Sequence, residues 1–306
     1  MPRYAAIDIG TNSVLLLVAE KSGEGFRAVE ELAEITRLGR GVDKSRVLSA
    51  EGMEATLSVL EEFGKRAREL GAEKIAVSAT SAARDAKNGA EFMSAAKTRA
   101  GVEVEIISGE LEAQLSYSAV AEDASVSTKD APLIVIDIGG GSTEFIFGDR
   151  GKVLFRHSFD VGSVRLTERF VTTDPVSNAE RTTMKSFLSE TFSRLPKSPP
   201  RAQFVGVAGT VTTLFAVHHA VQPYDVTKVH GGVLHLPELR AVTDKLFELP
   251  VAERAKLPGL QPKRADVICA GSLILLTALE QLRLESVTVS DRGLRWGLLA
   301  HKFGGA

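Results

Sequence analysis

Tyr4-Ala5-Ala6-Ile7-Asp8-Ile9-Gly10-Thr11-Asn12-Ser13-Val14-Leu15-Leu16-Leu17-Val18-Ala19 joins two apolar runs through a glycine-containing turn. The pattern predicts a strand over Tyr4–Ile9, a tight turn, and a strand over Val14–Ala19. The same arrangement recurs 129 residues on, where Leu133–Ile138 and Thr143–Phe147 flank Gly139-Gly140-Gly141-Ser142. There Asp137-Ile138-Gly139 repeats Asp8-Ile9-Gly10, and Ser142 repeats Ser13 at the same offset. A repeat this long is a duplicated domain, because solenoid units recur at about 20–50 residues.

Working outward from the first copy, Phe26–Ile35 reads as a third strand. Ser49 is placed to cap a helix whose inward stripe is Met53, Leu57, Leu60, Phe63, Ala67 and Leu70, with Gly71 as its stop. Lys74–Ala79 is predicted as a strand, Ser81–Ala100 as one helix, Val102–Ile107 as a strand, and a helix runs from Glu110 to about Glu122. The Ser-, Asp- and Lys-rich stretch Asp123–Pro132 is the expected linker. The second copy predicts strands at 133–138, 143–148 and 152–159, then a helix from Asp174-Pro175 to Leu195. A strand at Gln203–Val207, a helix at Thr210–Ala220, two proline-punctuated helices, the apolar helix Ala265–Leu282, a strand at Val287–Val289 and a last helix, Gly293–Lys302, complete it. The expectation is therefore α/β, with lobes at 1–123 and 124–306; the last helix is left open to packing on either lobe. Two duplicated lobes are expected to face each other across a cleft, a favoured place for ligands.

Composition bounds the rest. The chain has 306 residues with 37 Lys+Arg against 39 Asp+Glu, so a strongly basic nucleic-acid footprint is not expected. The single cysteine, Cys269, excludes an internal disulfide. Met1–Gly10 lacks a basic region followed by a long apolar run, and Val267–Leu279 is too short to span a bilayer, so the expectation is a cytoplasmic protein without membrane association.

Glycine-rich turns can present several backbone N–H groups to one anion. Asn12, Ser13 and Ser142 add side-chain donors, and two such turns are suited to adjacent phosphates. The structural alternative is a pair of hairpin turns that use Gly and Asn for positive φ. Asp137 and Glu144 lie seven residues apart across the second turn and can meet there, as oxygen ligands that suit Mg²⁺ or as a turn cap beside a solvated strand residue. Gly206-Val207-Ala208-Gly209-Thr210 joins a strand to a helix, which fits either an anion site or close helix–strand packing. It is neither a Walker A loop nor a dinucleotide fingerprint. Glu112, in the first turn of its helix, serves the helix dipole or acts as a general base; Arg84 is a surface charge or a phosphate ligand.

Taken together and in order, these residues resemble the exopolyphosphatase/guanosine pentaphosphate phosphatase family, of the actin-like ATPase superfamily. The resemblance rests on Asp8–Ser13, Glu34–Gly39, Ala79–Asn88, Ser108–Ala113, Asp137–Glu144, Gly206–Thr210, Val229–Gly231, Arg264–Asp266 and Val289–Arg295, and covers nearly the whole chain. It implies two actin-like, ribonuclease H-like lobes. It implies Glu112 as general base, Mg²⁺ bound by Asp137 and Glu144 with Asp8 nearby, and phosphates held by Asn12, Ser13, Arg84, Gly139, Gly140, Gly141, Ser142, Gly209 and Thr210. Two departures stand out: Leu111 replaces the first glutamate of the family's E-E-A, and Trp296 stands where a glutamate often follows G-L-R. The family's long members carry extra C-terminal domains, so this chain resembles the short, two-domain form.

The resemblance implies Mg²⁺-assisted hydrolysis of the terminal phosphate of inorganic polyphosphate, with short chains favoured, or of guanosine pentaphosphate. Inhibition by guanosine tetraphosphate and a homodimer are further expectations. The competing classes are an acid or sugar kinase, for which only Gly231-Gly232 offers a nucleotide element, and a non-catalytic sensor of guanosine tetraphosphate or polyphosphate.

Overall fold

Each half of the chain begins with an antiparallel meander onto which parallel strands are then laid. The computed structural model describes residues 1–23, 25–128 and 130–305. Two compact units divide it: Met1–Ala119 with Leu294–Ala306, and Val120–Gly293.

The first unit contains β1 (Arg3–Ile9), β2 (Ser13–Ser22), β3 (Gly25–Ile35), α1 (Val42–Ser45), α2 (Ala50–Glu69), β4 (Ala72–Ala79), α3 (Ser81–Asp85), α4 (Gly89–Ala100), β5 (Val104–Ile106) and α5 (Gly109–Ala121). Its sheet has the order β3-β2-β1-β4-β5, with β1 antiparallel to β2 and parallel to β4. The central strand is covered on both faces and its residues alternate between two cores. Ala5, Ile7 and Ile9 join Leu57, Leu60 and Phe63 of α2, whereas Tyr4 and Ala6 join Leu115 of α5. Burying a leucine or phenylalanine of this kind contributes about 1.5–3 kcal/mol.

The second unit contains β6 (Leu133–Ile138), β7 (Thr143–Asp149), β8 (Lys152–Phe159), α6 (Ser163–Phe170), α7 (Asn178–Phe192), β9 (Gln203–Val207), α8 (Ala208–His218), α9 (Val226–Val229), β10 (Val233–His235), α10 (Leu236–Glu248), α11 (Val251–Arg254), α12 (Ile268–Leu282) and β11 (Ser286–Val289). Its sheet order, β10-β11-β9-β6-β7-β8, repeats the first with β10 added at one edge. The shared order, an antiparallel three-strand meander followed by parallel strands, is that of a ribonuclease H-like lobe, so the chain is α/β with two actin-like lobes. The core runs through α12, in which thirteen of fifteen residues are buried. A helix apolar on every side needs such surroundings, and among the described residues no helix is long and apolar enough to cross a membrane.

The chain ends in α13 (Leu294–Phe303), which belongs to the first unit, so the second unit closes at Gly293 rather than at the last residue. Leu294, Leu298, Leu299 and Phe303 pack with Tyr4, Ala6, Leu17 and Ala19, and Tyr4 stacks on Phe303 at 4.7 Å. Gly297 allows close approach, since a Cβ there would lie 2.1 Å from the Leu115 carbonyl oxygen.

Some predicted elements differ. The helix expected over Ser81–Ala100 is broken at Ala86–Asn88, where Ala86 is extended. Asn88 turns outward to grip Leu48, accepting from its N–H at 2.8 Å and donating to its carbonyl at 3.0 Å. The helix expected from Asp174 starts at Asn178, because Ser177 and Glu180 form a capping box.

Two motifs are explained by a clamp inside the second unit. The His230 Nδ1 accepts the Asp291 N–H at 3.2 Å, so its Nε2 carries the proton. That Nε2 lies 3.1 Å from Asp123 Oδ2 and 2.8 Å from Ser125 Oγ, and Arg292 approaches the same carboxylate at 3.2 Å. Chain just inside the unit's start is thereby tied to chain just before its end.

Candidate active site

In the first unit the site is organised by the turn between β1 and β2, closed by Gly10 N–H donating to the Ser13 carbonyl at 2.9 Å. The segment after β3 ties this turn back: Gly39 N–H donates to the Thr11 carbonyl at 2.8 Å, and the Thr36 and Arg37 amides donate to the Asn12 carbonyl at 3.1 and 3.0 Å. The C=O and following N–H of a peptide plane point opposite ways, so the Asn12 and Ser13 amides are aimed away from that anchor. Gly39 is required by proximity; a Cβ there would lie 2.2 Å from Thr11 Cγ2. Thr11 Oγ1 shares a hydrogen bond with Ser81 at 2.8 Å. The Asn12 Nδ2 is buried without an acceptor among the described residues, a donor with unused capacity.

Asp8 is buried near the end of β1. By strand alternation it faces the side on which Tyr4, Ala6 and Leu115 of α5 pack. Glu112, also buried, lies in the first turn of α5. Ser108 starts that helix, its carbonyl accepting from Glu112 N–H at 2.9 Å and its Oγ from Leu111 N–H at 3.2 Å. Arg84 reaches across from α3; its Nη1 donates to the Ile107 carbonyl at 3.0 Å and lies 3.5 Å from Glu112 Oε2. Both departures from the family pattern, Leu111 and Trp296, pack against the apolar cluster around Tyr4 and Leu298. Glutamates there would place charge beside an apolar layer.

In the second unit the corresponding turn is closed by Gly139 N–H to the Ser142 carbonyl at 3.0 Å. Its carbonyls are occupied by the start of α6. Gly139 accepts from Ser163 N–H at 3.0 Å, and Gly140 from Val164 and Arg165 N–H at 2.9 and 3.1 Å. Gly141 accepts from the buried Arg165 Nε at 2.7 Å. The amides of Gly140, Gly141 and Ser142 donate to no acceptor among the described residues. Gly162 keeps the approach open, since a Cβ there would meet Gly140 at 2.4 Å.

Asp137 and Glu144 are register partners on β6 and β7. Ile136, Ile138, Phe145 and Phe147 face the core, so both carboxylates share the opposite face. Ser158 of β8 continues this row and donates to Glu144 Oε1 at 2.6 Å. Opposed buried carboxylates repel, and a divalent cation offsets that repulsion. Among the described residues no three His, Cys, Asp or Glu side chains form a complete metal cage. A donor set of two carboxylates fits Mg²⁺, which takes its other oxygens from water and phosphate.

Beside this row β9 leads into α8 through Ala208, whose φ of 69° is left-handed, and then Gly209 and buried Thr210. The Arg264 guanidinium rests on Gly209; a Cβ there would lie 2.3 Å from Nη1. Burial pulls the Arg264 pKa down. The one hydrogen bond of its guanidinium among the described residues is from Nε to Gln261 Oε1 at 3.3 Å. A half-buried cation at a helix N-terminus is an anion-attracting pair.

Within the units, then, Arg84 meets Glu112, Asp137 meets Glu144, and Asn12, Ser13 and Gly139–Ser142 form the two turns. The sequence reading passes over the supports, Thr36–Gly39 and Ser163–Arg165, and over the position of Arg264 against Gly209. Glu34–Gly39 is visible as a motif, but its task is apparent only from the hydrogen bonds.

A duplicated ribonuclease H-like lobe with paired carboxylates and amide-lined turns defines a phosphoryl-handling class of protein. Residues 17–304 match the Ppx/GppA phosphatase family, and the chain belongs to that family. It is 33% identical over 315 aligned positions to exopolyphosphatase 2 of Mycobacterium tuberculosis, covering 97% of this chain and 98% of that protein. It is 31% identical to a guanosine-5'-triphosphate,3'-diphosphate pyrophosphatase of Pseudoalteromonas translucida, covering 97% of this chain and 58% of that one. The crystal structure of the Aquifex aeolicus Ppx/GppA family member matches with a TM-score of 0.83 at 38% identity, covering 98% of this chain and 97% of that one.

Proposed function

We propose that this phosphoanhydride hydrolase is an exopolyphosphatase that releases orthophosphate from the end of inorganic polyphosphate. The two amide-lined turns carry the reading: they accept a polyanion without adding formal charge, which suits a chain of net charge −2. The relative from M. tuberculosis named exopolyphosphatase supports the substrate class.

In this reading Glu112 takes the proton of a water whose oxygen attacks the terminal phosphorus. The bridging oxygen leaves with its bonding pair as the end of the shortened chain. Arg84 fixes the Glu112 carboxylate and, with Asn12, Ser13, Gly209 and Thr210, faces phosphate oxygens. The amides of Gly140, Gly141 and Ser142 stabilise charge on the transferring group. Asp137, Glu144 and Asp8 would hold Mg²⁺, which supplies Lewis-acid stabilisation of the phosphoryl oxygens when bound.

The second reading, guanosine pentaphosphate as substrate, is favoured by the 31% identity to the guanosine pyrophosphatase. It uses the same bond and residues. Phosphate release with Mg²⁺ from short and long polyphosphate, guanosine pentaphosphate and ATP, for the native protein and Glu112→Gln, separates the two. The variant is expected to lose about 10²–10⁴-fold. No release from any of them overturns the hydrolase reading, and tight binding without release makes the protein a sensor.

A further inference from the structure

Three consecutive peptide planes of the glycine turn, Gly139–Gly140, Gly140–Gly141 and Gly141–Ser142, are each held by the carbonyl oxygen. Two are held by backbone amides of α6, and these persist whatever side chains α6 carries. The third is held by a side chain, the Arg165 guanidinium, through Nε at 2.7 Å. In the first unit the Thr11 and Asn12 carbonyls accept from backbone amides of Thr36, Arg37 and Gly39 among the described residues. Arg165 is buried, so its hydrogen bond is shielded from competing water.

We propose that Arg165 is a positioning residue for phosphate transfer: by holding the Gly141 carbonyl it aims the Ser142 amide at an oxygen of the transferring phosphate. This rests on the hydrolase reading above. Arginine suits the task because its planar fork keeps Nε in one direction. A carbonyl released on one side of a peptide plane lets the N–H on the other side swing by the same angle. Gly162 provides independent leverage on the same turn. Its φ of −150° is open to any residue, so the cost of Gly162→Ala is the clash with Gly140.

The test uses the full chain with tripolyphosphate and Mg²⁺, comparing native protein, Arg165→Met, Arg165→Lys and Gly162→Ala for kcat, KM and thermal midpoint. Arg165→Met is expected to lower kcat/KM at least about tenfold, below the 10²–10³ that deleting a whole oxyanion donor costs. Arg165→Lys is expected to recover part of that loss at an unchanged midpoint, a rescue that a purely structural role would not give. A loss under tenfold in a folded Arg165→Met overturns the proposal. Should Arg165→Met not fold, native-like kcat/KM in both Arg165→Lys and Gly162→Ala overturns it. Failure of the native protein to release phosphate from any phosphoanhydride is a different result, and falls on the hydrolase reading instead.

Discussion

Asp137 and Glu144 stand opposite one another on adjacent antiparallel strands, both buried and both turned away from the core. In the proposed reading a cation bound between them would relieve their repulsion, so Mg²⁺ is expected to raise the thermal midpoint of the native protein. A ligand at 100 times its dissociation constant contributes about 2.7 kcal/mol. In Asp137→Asn and Glu144→Gln most of that increase is expected to vanish, together with phosphate release. Scanning melts with Mg²⁺ and with EDTA read this directly, and an undiminished Mg²⁺ response in both variants moves the metal elsewhere.

The contact between Gly39 and Thr11 predicts a specific rescue. Gly39→Ala forces a methyl against Thr11 Cγ2, a clash expected to cost about 1–3 kcal/mol. Thr11→Ser removes that Cγ2 and keeps the hydroxyl that meets Ser81. The double variant is therefore expected to be more stable than Gly39→Ala alone. Additive losses in denaturant melts contradict it.

Asp123 predicts a dependence on pH. Burial pushes its carboxyl upward, but the hydrogen bonds from Ser125 and the electrostatic attraction of the neighbouring Arg292 and His230 side chains outweigh it and hold the pKa below the ordinary 3.8. A carboxyl lowered on folding stabilises the protein above its unfolded value, and that contribution is lost as pH falls through the folded value. Asp123→Asn is expected to lower the melting temperature at pH 7, and the gap to the native protein is expected to narrow in melts taken toward pH 3. A gap that does not change with pH contradicts the assignment.

Arg84 Nη1 donates to the Ile107 carbonyl and lies 3.5 Å from Glu112 Oε2, and the rigid guanidinium plane holds that nitrogen in one place where a flexible ammonium is not so fixed. Arg84→Lys is expected to lower kcat/KM for tripolyphosphate by about tenfold, and Arg84→Met by more. Initial rates across substrate concentration test this, and equal activity of native protein and Arg84→Met removes Arg84 from the site.

The strand–turn–strand units were legible in the sequence because alternation and glycine are local signals. The opening residues of α6 were not, since Ser163, Val164 and Arg165 are organised by glycine carbonyls more than twenty residues earlier. The break at Asn88 likewise answers to Leu48, forty positions away. β10 has three residues and one neighbouring strand, too little pattern to read. Arg264–Asp266 is visible as a motif, but that the Arg264 guanidinium lies on Gly209 is apparent only from the structure. For the candidate site, residue types and spacing leave Glu112, Asp137 and Glu144 open between structural and functional roles, the family resemblance points to them, and their supports depend on tertiary hydrogen bonds.

In the proposed reading the phosphate grip is made of peptide amides and offers almost no side chain for selection to alter. Variation can act on it only through the glycines, which admit little, and through the donors behind them, such as Arg165 and the amides of Thr36–Gly39. Lineages built on this turn would therefore diversify their substrates at the surrounding walls and leave the grip itself as inherited hardware.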